Sequence, residues 1–443
     1  MSVPRQQKTG RLIWVVFLGV FLATGAATVW GDTPHYVAHG GQTPMSNYTS
    51  WATAASNIQD AVDAAIANDT VLVSNGNYTL TNQINILREI TVRGFNGQDQ
   101  TFVNGNYPWT TNRCFYIYNA PAVLDGLTIS NGYAGNGGGV LIYHLNPTFT
   151  GGSILTNCTI TDNTATNFGG GLYATRSGTG STTNVISHCV ISKNLAQCKG
   201  GGIYAHFSRF EDCLIDGNCT GSNGVSNAGH PNGGAGAWIG SGVLMLNCTI
   251  VSNTGTEFAK CGGGVYMEYF AILRNCLIRG NCSARESAVY LQGWDTIENS
   301  TIVQNVGTGN YAAVSFLGNQ PYVSTIRNSI IMFNTSAGTA SNWAFNGSKQ
   351  TGLFYNCCTA PLPTGAHAGD STNNIAFNPL FVATNDADYR LSRGSPCIDA
   401  GTNQDWMSAG TDFGGLHRLN RWRGVVDIGA YEFVPKGTLF SGH

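Results

Sequence analysis

Aromatic residues recur at one position of a repeated segment in the middle of this chain. Most of them follow a run of glycines, and the set is Tyr173, Tyr204, Trp238, Tyr266 and Tyr290. Aromatic rings in a row on a flat sheet present faces on which sugar rings can stack, so we predict that these residues bind a glycan. The alternative is that the rings stack on one another, or are covered by long turns, and only stabilise the sheet.

Two titratable residues stand two positions further along the same repeat. His206 and Glu268 are two repeats apart, which is roughly 10 Å if the repeat strands pair in parallel. A His, or a nearby Arg such as Arg209, is a base that could remove the proton beside a uronate carboxylate. The alternative is that these are isolated surface residues. The repeat strands show neither the paired Asp residues of a glycoside hydrolase nor an Asp cluster for Ca²⁺.

Charged residues are densest near the C-terminus. Four carboxylates, with Arg418, Arg421 and Arg423 among them, could coordinate Ca²⁺ or form an ion-pair network: Asp399, Asp412, Asp427 and Glu432. No other cofactor is indicated, because the glycine runs precede strands, whereas a phosphate-binding loop precedes a helix.

An internal repeat positions the residues of the aromatic row. One half of it is a short strand that ends in Asn, as in NCTITDN from Asn157; the other is a glycine run followed by a second strand, as in GGGLYAT from Gly169. The closing Asn residues recur every 24 to 35 residues, at Asn163, Asn194, Asn218, Asn253, Asn281, Asn305 and Asn334. This period, without intervening helices, predicts an all-β solenoid in which each strand pairs with its counterpart one coil away.

Alternation along the first strand defines the interior of the solenoid. The Ile of this strand and the small residue two positions before it are predicted to point inward. The small residues are Cys158, Cys189, Cys213, Cys248, Cys276, Ser300 and Ser329. We predict a stack of reduced thiols rather than a ladder of disulfides. The closing Asn residues are expected to adopt left-handed backbone and to hydrogen-bond along the stack.

Four further cysteines show a different pattern. Cys198 and Cys219 are 21 residues apart, and so are Cys261 and Cys282. The recurrence predicts the disulfides Cys198–Cys219 and Cys261–Cys282, which would join the same turn of adjacent coils.

A helix is predicted just before the first strands. Ile58, Val62 and Ile66 fall on one face of the segment 53–67, with Thr53 or Ser56 as its cap. Such a helix would cover the open strand edge at the end of the solenoid.

Composition restricts the class of protein. Only 10% of the 443 residues are charged and the net charge is −2, which argues against a coiled coil and against a nucleic-acid partner. The 42% of hydrophobic residues argues against disorder.

The N-terminus predicts export. A basic segment with Arg5, Lys8 and Arg11 precedes an apolar run and then small residues, as in a signal peptide covering 1–31. An uncleaved anchor is the alternative; after cleavage we expect no transmembrane span.

The paired glycine-run and xxIxxN signatures resemble the repeats of right-handed parallel β-helix proteins. They are similar to polymorphic outer-membrane protein repeats and to the pectate-lyase-like superfamily. The segment from Asn373, with DFGGLHR and VVDIGAYEF, resembles the C-terminal module called choice-of-anchor Q. This resemblance implies that the charged residues of the segment hold a C-terminal cap.

Together these features predict a right-handed parallel β-helix at 69–356, with an N-terminal cap at 32–68 and the anchor-type module at 357–443. We expect an exported protein, secreted or at the cell surface, that binds a glycan or mediates adhesion without catalysis. The alternative function is a polysaccharide lyase acting on acidic polysaccharide, and an inert envelope element is a third.

Overall fold

The structure is a computed structural model of the chain. It describes residues 33–145, 151–177, 183–221, 233–255, 262–316, 321–345, 349–364, 371–419 and 424–435. The predicted signal peptide, Cys261, Arg421 and Arg423 therefore lie outside the described residues. No helix within the described ranges is both long and apolar enough to cross a membrane.

A complete coil of the chain passes through four sheets, which we name A, B, C and D in the order of passage. Ile154–Thr156, Thr159–Thr161, Thr164–Phe168 and Leu172–Arg176 form one such coil. Each strand pairs in parallel with the strand one coil away, as Ile160 does with Ile191. The described part of the chain is thus an all-β parallel β-helix, as predicted, with two more sheets than the sequence repeat revealed.

Sheets A and B are the two longest among the described residues. Sheet A contains Pro34–Val37, Thr70–Val73, Thr91–Gly94, Val123–Asp125, Ile154–Thr156, Asn184–Ser187, Ser208–Glu211, Leu244–Leu246, Ile272–Arg274, Thr296–Glu298, Val323–Arg327 and Thr351–Tyr355. Sheet B contains Gly76–Thr79, Thr101–Asn104, Thr128–Ser130, Thr159–Thr161, Val190–Ser192, Leu214–Asp216, Thr249–Val251, Leu277–Arg279, Thr301–Val303, Ile330–Met332 and Cys358–Thr359. Sheet B therefore continues to Thr359, three residues beyond the predicted end of the β-helix.

Sheets C and D complete the coils. Sheet C contains Tyr133–Asn136, Thr164–Phe168, Leu195–Ala196, Cys219–Thr220, Thr254–Gly255, Cys282–Ser283, Val306–Gly307, Thr335–Ser336 and the antiparallel Thr339–Ala340. Sheet D contains Ile84–Ile86, Phe115–Tyr118, Val140–His144, Leu172–Arg176, Ile203–Ala205, Ala237–Ile239, Val265–Met267, Val289–Leu291, Val314–Phe316 and Trp343–Phe345. Outside these sheets lie a hairpin of Phe381–Ala383 and Asp388–Leu391, and short 3₁₀ helices at Trp51–Thr53, Thr384–Asp386 and Asp405–Ser408.

The interior of the coils is the predicted stack of Ile and thiol side chains. The inward Ile of sheet B and the Cys or Ser two positions before it are buried in every repeat from Cys158 to Ser329. The cysteines of the stack remain thiols, which confirms the expectation of a reduced stack.

No disulfide joins Cys198 to Cys219 in the structure. Cys219 pairs with Leu195 across sheet C, so Cys198 lies three residues further along the chain than the position opposite Cys219. Equal spacing in sequence therefore did not place the two cysteines opposite one another. The other predicted bridge includes Cys261, which lies outside the described residues.

The closing Asn residues form a buried ladder along the corner between sheets B and C. Asn253 donates from Nδ2 to the Asn281 Oδ1 at 2.9 Å, and its own Oδ1 accepts from Asn218 Nδ2 at 3.0 Å. Hydrogen bonding along the stack is thus confirmed. The left-handed conformation, however, belongs to the residue before each Asn, with φ between 53° and 61°: Asp162, Lys193, Gly217, Ser252, Gly280, Gln304 and Phe333.

The N-terminal helix is present but shorter than predicted, at Ile58–Ala64. Its cap is Asn57, whose side chain accepts from the Asp60 amide, and Ile66 lies beyond the helix with 66% exposure. Gln59 exchanges hydrogen bonds with the backbone of Asn85 at the open edge of sheet D. The helix therefore covers a strand edge, as expected.

Candidate functional site

The outward face of sheet D carries an aromatic row in perfect register. Each of these residues is the second residue of its strand and pairs with its counterpart in the next coil: Tyr173, Tyr204, Trp238, Tyr266 and Tyr290. The residues on either side of each ring point inward and are buried, as alternation requires.

The rings stack along the axis of the helix. The centroids of Tyr173 and Tyr204 are 5.1 Å apart with the planes at 4°. Those of Trp238 and Tyr266 are 3.4 Å apart, and those of Tyr266 and Tyr290 are 4.5 Å apart. Parallel stacking of this kind stabilises the sheet by contacts between neighbouring coils.

Three of the five predicted ligand-binding rings are not open to a ligand. Trp238 and Tyr266 are 0% exposed and Tyr290 is 3% exposed. The Lys199 ammonium lies 3.9 Å from the centre of the Trp238 ring. Mutual stacking therefore accounts for these three residues, whereas Tyr173 and Tyr204 keep a half-exposed surface.

Further tyrosines lie on the outward face of sheet D towards the N-terminus, and Tyr116, Tyr118 and Tyr143 are half-buried there. Tyr116 aligns with the aromatic row across the buried Leu141, and Tyr118 pairs with Tyr143 two residues further along the strands. The Tyr116 and Tyr118 centroids are 5.9 Å apart with planes at 7°, and those of Tyr118 and Tyr143 are 6.2 Å apart. We name Tyr116, Tyr118, Tyr143, Tyr173 and Tyr204 the tyrosine path.

Sequence reasoning missed Tyr116 and Tyr118 because Arg113 and Cys114, not a glycine run, precede their strand. The alternation in Phe-Tyr-Ile-Tyr at 115–118 is the signal that could have found them. Phe115 and Ile117 are buried, and the two tyrosines face outward.

His206 follows the aromatic row at the end of its strand. Its Nε2 lies 3.3 Å from the Tyr204 hydroxyl, and its ring passes over Gly240 of the next coil, where a Cβ would come within 2.4 Å of Nδ1. Burial lowers the pKa of His206, although the Glu268 carboxylate acts in the opposite direction.

The Glu268 carboxylate is hydrogen-bonded to a residue of the aromatic row and not to His206. Its Oε2 accepts a hydrogen bond of 3.0 Å from the Trp238 indole N–H. Lys199 is buried nearby, and burial lowers the pKa of its ammonium group, which Glu268 counteracts. One face of the helix thus brings together His206, Glu268 and Lys199.

The structure does not bring Arg209 to this group. Arg209 lies on the outward face of sheet A, on the far side of the corner from His206, and pairs with Glu211. It is not placed to act with His206 and Glu268.

Three of the four predicted C-terminal carboxylates, those of Asp412, Asp427 and Glu432, accept hydrogen bonds from backbone amides or from Arg418. Asp427 accepts from the amides of Asp399 and Phe433, and Asp412 accepts from Leu416 and Glu432. Burial raises the pKa of Asp427 to about 6. Burial acts on Glu432 in the same direction, and the Arg418 guanidinium opposes it by lowering the pKa of that carboxyl. The described residues contain no group of three His, Cys, Asp or Glu side chains arranged to hold a metal ion.

Arg418 joins this segment to the coils. It is fully buried, and its guanidinium donates to the Glu432 carboxylate at 2.8 Å and to Asn275 Oδ1 at 2.6 Å. Further bonds run to the carbonyls of Gly429, Ala430 and Asn299. The geometry is that of an ion-pair network that fastens the C-terminal segment to the side of the β-helix.

Comparison with known proteins agrees with the fold. The chain matches the family model described as "Right handed beta helix region" over residues 156–330. Pectate lyase Pel9A is similar in structure, with a TM-score of 0.55 and 15% identity over 92% of this chain and 98% of that chain. A mannuronic acid specific polysaccharide family 6 lyase from human gut microbiota has a TM-score of 0.25 and 11% identity over 66% of this chain and 75% of that chain.

No curated protein sequence matches the chain. The likeness to solved structures lies at an identity that shows fold alone, and it supports the right-handed parallel β-helix.

Proposed function

We propose that this chain is an exported polysaccharide-binding protein that acts without catalysis, secreted or at the cell surface. The observation that carries the proposal is the tyrosine path, a group of half-buried outward rings on four consecutive coils of sheet D. Export rests on the predicted signal peptide at 1–31.

The tyrosine path has the dimensions of a polysaccharide groove floor. From Tyr116 to Tyr204 it spans three coil steps, or roughly 14 Å at the spacing of parallel strands. The strand register fixes Tyr116, Tyr173 and Tyr204 in one column, and Tyr118 and Tyr143 in a second column two residues further along the strands. The exposed parts of these rings therefore need little reorganisation before a run of sugar rings packs against them. The buried rings of Trp238, Tyr266 and Tyr290 continue the same row and stiffen it.

The contacts of the candidate catalytic residues favour a binding function over cleavage of a glycosidic bond. Glu268 is engaged by the Trp238 indole, and Arg209 is paired with Glu211 on another sheet. A lyase also needs a cation to neutralise the uronate carboxylate, and Lys199 is buried against Trp238.

The test is retention of the protein in gels that contain single polysaccharides, neutral and uronate. The double variant Tyr143→Ala, Tyr173→Ala should lose at least about tenfold in affinity, since each ring contributes a stacking contact. Tyr355→Ala, a half-exposed tyrosine on sheet A, is the matched control and should bind like the wild type. Equal retention of all three proteins would remove the basis of the proposal.

A second candidate function is a polysaccharide lyase with His206 as the base. A specific observation favours it: His206 Nε2 lies 3.3 Å from the Tyr204 hydroxyl, and burial lowers the pKa of the imidazole. The imidazole would take the proton next to the uronate carboxylate as a carbon–carbon double bond forms and the glycosidic C–O bond breaks. Tyr204 would give its proton to the departing oxygen.

An ultraviolet assay for new double bonds, on a panel of uronate polysaccharides with Ca²⁺ or a chelator, decides between the two functions. Binding without cleavage predicts a flat trace. A rising trace that is abolished in His206→Ala, and in Gly240→Ala through displacement of the imidazole, would establish the lyase instead.

A further inference from the structure

Two cysteines meet where the C-terminal segment packs against the last coil. Cys358 begins the last strand of sheet B, and Cys397 lies in the C-terminal segment, outside the four sheets. Both side chains are buried, with 0% exposure, and both belong to one small apolar cluster. Neither residue belongs to the thiol stack of the interior, which runs from Cys158 to Cys276.

The direction of its side chain separates Cys358 from the interior of the coils. Its neighbour Cys357 points inward, and the Cys357 thiol donates to the carbonyl two residues earlier at 3.4 Å. Cys358 pairs with Ile330 of the preceding coil and points to the opposite face of the strand. The Cys358 sulfur lies 3.2 Å from the Phe377 carbonyl oxygen. Cys358 therefore faces the C-terminal segment.

Hydrogen bonds on several sides hold the backbone of Cys397 in place. The Asn356 side chain donates to the Ala400 carbonyl at 3.0 Å, three residues beyond Cys397. The Ile428 amide donates to the Cys397 carbonyl at 2.9 Å, and the Cys397 amide donates to the Ser395 hydroxyl at 3.2 Å. These bonds fix Cys397 over the outward face of the last strand, where Cys358 lies.

The two thiols interact directly. A side-chain hydrogen bond with Cys358, together with burial, raises the pKa of the Cys397 thiol. Because the thiolate and not the thiol is the nucleophile, a docked and buried pair reacts poorly with anything in solution. The redox state of the pair is therefore decided before the C-terminal segment docks.

The thiol stack differs from this pair in its geometry. Its cysteines occupy the same position of neighbouring parallel strands, where a spacing of about 4.8 Å holds the side chains side by side. That spacing exceeds the Cβ–Cβ separation of about 3.5–4.5 Å that a disulfide prefers. Cys358 and Cys397 come instead from two segments that pack face to face, so their side chains approach one another from opposite directions.

We infer that Cys358 and Cys397 are joined by a disulfide in the exported protein, and that this bond ties the C-terminal segment to the last coil. Exported chains fold where disulfides form and persist. The oxidant is a low-molecular-weight disulfide, such as glutathione disulfide.

The reaction is a pair of thiol–disulfide exchanges. The Cys397 thiolate attacks one sulfur of the oxidant, whose S–S bond breaks, so that one small thiol leaves and a mixed disulfide remains on Cys397. As the segment docks, the Cys358 thiolate attacks the Cys397 sulfur and displaces the second small thiol. Two electrons pass from the protein to the oxidant, and the two cysteine protons end on the released thiols.

This inference goes beyond the proposed function, since polysaccharide binding plays no part in it. It shares with that proposal only the expectation of export, and refolding in a defined redox buffer tests it without relying on export. Arg418 fastens the C-terminal segment to earlier coils, through Asn275 and Asn299. The disulfide is a second attachment, at the end of the β-helix.

The test is to refold the reduced full-length protein in a mixture of reduced and oxidised glutathione. The chain is then unfolded, the remaining thiols are alkylated, and the digest is analysed by mass spectrometry. A peptide that links Cys358 to Cys397 is expected in most molecules. The cysteines of the stack, such as Cys248, should all be alkylated.

Two serine variants identify which of the adjacent cysteines forms the bond. Cys358→Ser should abolish the linked peptide, and Cys357→Ser is the matched control that should retain it. The control is expected to fold, because Ser300 and Ser329 occupy the equivalent inward position in the two preceding coils.

A stability measurement on the wild type avoids dependence on these variants. Reduction of the oxidised protein with a dithiol should lower the ratio of folded to unfolded chain in urea by about thirtyfold or more, because the bond closes a long loop. Cys397→Ser should not respond to the dithiol.

Three results would overturn the inference: no linked peptide forms, the link runs through Cys357, or the dithiol destabilises Cys397→Ser as much as the wild type. The outcome is separable from that of the proposed function. A protein that carries the bond but is not retained by any polysaccharide supports the disulfide and removes the proposed function; retention without the bond does the reverse.

Discussion

A single position of the repeat accepts either a thiol or a hydroxyl. Cys158, Cys248 and Cys276 approach the carbonyl two residues earlier at 3.2–3.4 Å, and Ser300 and Ser329 donate to the equivalent carbonyl at 3.0 and 2.8 Å. The position therefore needs a small side chain that satisfies one carbonyl. Because both side chains meet that need, the replacement of Cys by Ser in the last two coils of the stack, at Ser300 and Ser329, preserves the contact.

Cys248→Ser should therefore change the free energy of unfolding by about 1 kcal/mol or less, since the buried hydroxyl finds an acceptor. Cys248→Leu, in contrast, should overpack the interior and cost about 1–3 kcal/mol. Urea unfolding of both variants measures the difference. A Cys248→Ser variant as unstable as Cys248→Leu would contradict the account of this position.

Asp295 gives the protein a pH dependence. Burial raises its pKa to about 7, although the Ala271 amide acts in the opposite direction. In the unfolded chain the same carboxyl has a pKa of about 3.9. The folded state thus binds the proton more tightly, so this residue's contribution to stability is complete below about pH 4, falls as the pH rises towards 7, and stays low above it.

Asp295→Asn should remove that fall, because an amide does not ionise and its oxygen can still accept from Ala271. The difference in urea midpoint between wild type and variant, measured from pH 4 to pH 8, should grow in favour of the variant as the pH rises. Parallel midpoints across this range would show that Asp295 does not titrate as described.

The Asn ladder is the element that sets the corner between sheets B and C. Each rung satisfies a backbone amide and a side-chain amide of the preceding coil, as Asn253 does for Asn218. The Asn ladder could be predicted from the sequence because Asn recurs at the same position of each repeat. The sequence could not reveal that the left-handed residue is the one before the Asn, since Asp, Lys, Gly, Ser, Gln and Phe all occupy that position.

Asn253→Ala should cost about 3 kcal/mol or more, because it leaves two buried donors of Asn218 without an acceptor. Asn82→Ala, an exposed Asn outside the ladder, should change stability little. The comparison of urea midpoints checks the prediction. Similar midpoints for the two variants would mean that the ladder does not stabilise the corner.

Two of the four sheets could be predicted from the sequence and two could not. Sheets B and D carry the xxIxxN and glycine-run signatures. Strands of sheet A, such as Ser208–Glu211 and Leu244–Leu246, share no residue type beyond one inward apolar position, and many strands of sheet C have two residues. Short strands held mainly by the register of their neighbours leave little trace in a single sequence.

Part of the candidate site could likewise be predicted from the sequence and part could not. The register of the aromatic row followed from the repeat, and the structure confirms it from Tyr173 to Tyr290. The burial of Trp238 and Tyr266 did not follow, because the ring of one coil and the Lys199 of another cover them. Such contacts depend on tertiary structure.

At the scale of the whole molecule, the C-terminal segment is fastened to the side of the helix by Arg418. Arg418→Met should lower the stability by about 3–5 kcal/mol, since it leaves Glu432 buried without its partner. Limited proteolysis should then release the C-terminal segment first. Arg390→Met, which removes the exposed Arg390–Asp388 pair, is the control and should leave the proteolysis pattern unchanged.

Resistance of Arg418→Met equal to that of the control would contradict this role. The C-terminal segment would then be held by the apolar contacts of Ile428 and Cys397 with the last coils rather than by the buried ion pair.

The placement of polysaccharide binding on the tyrosine path can be tested by hydroxyl-radical footprinting of the full-length protein, with and without a polysaccharide that retains it in gels. We expect protection from oxidation at Tyr116, Tyr118, Tyr143, Tyr173 and Tyr204, whereas Trp109 and Tyr355 should keep their reactivity. Protection that spares all five tyrosines, or that appears on sheet A instead, would contradict the placement of polysaccharide binding on the tyrosine path.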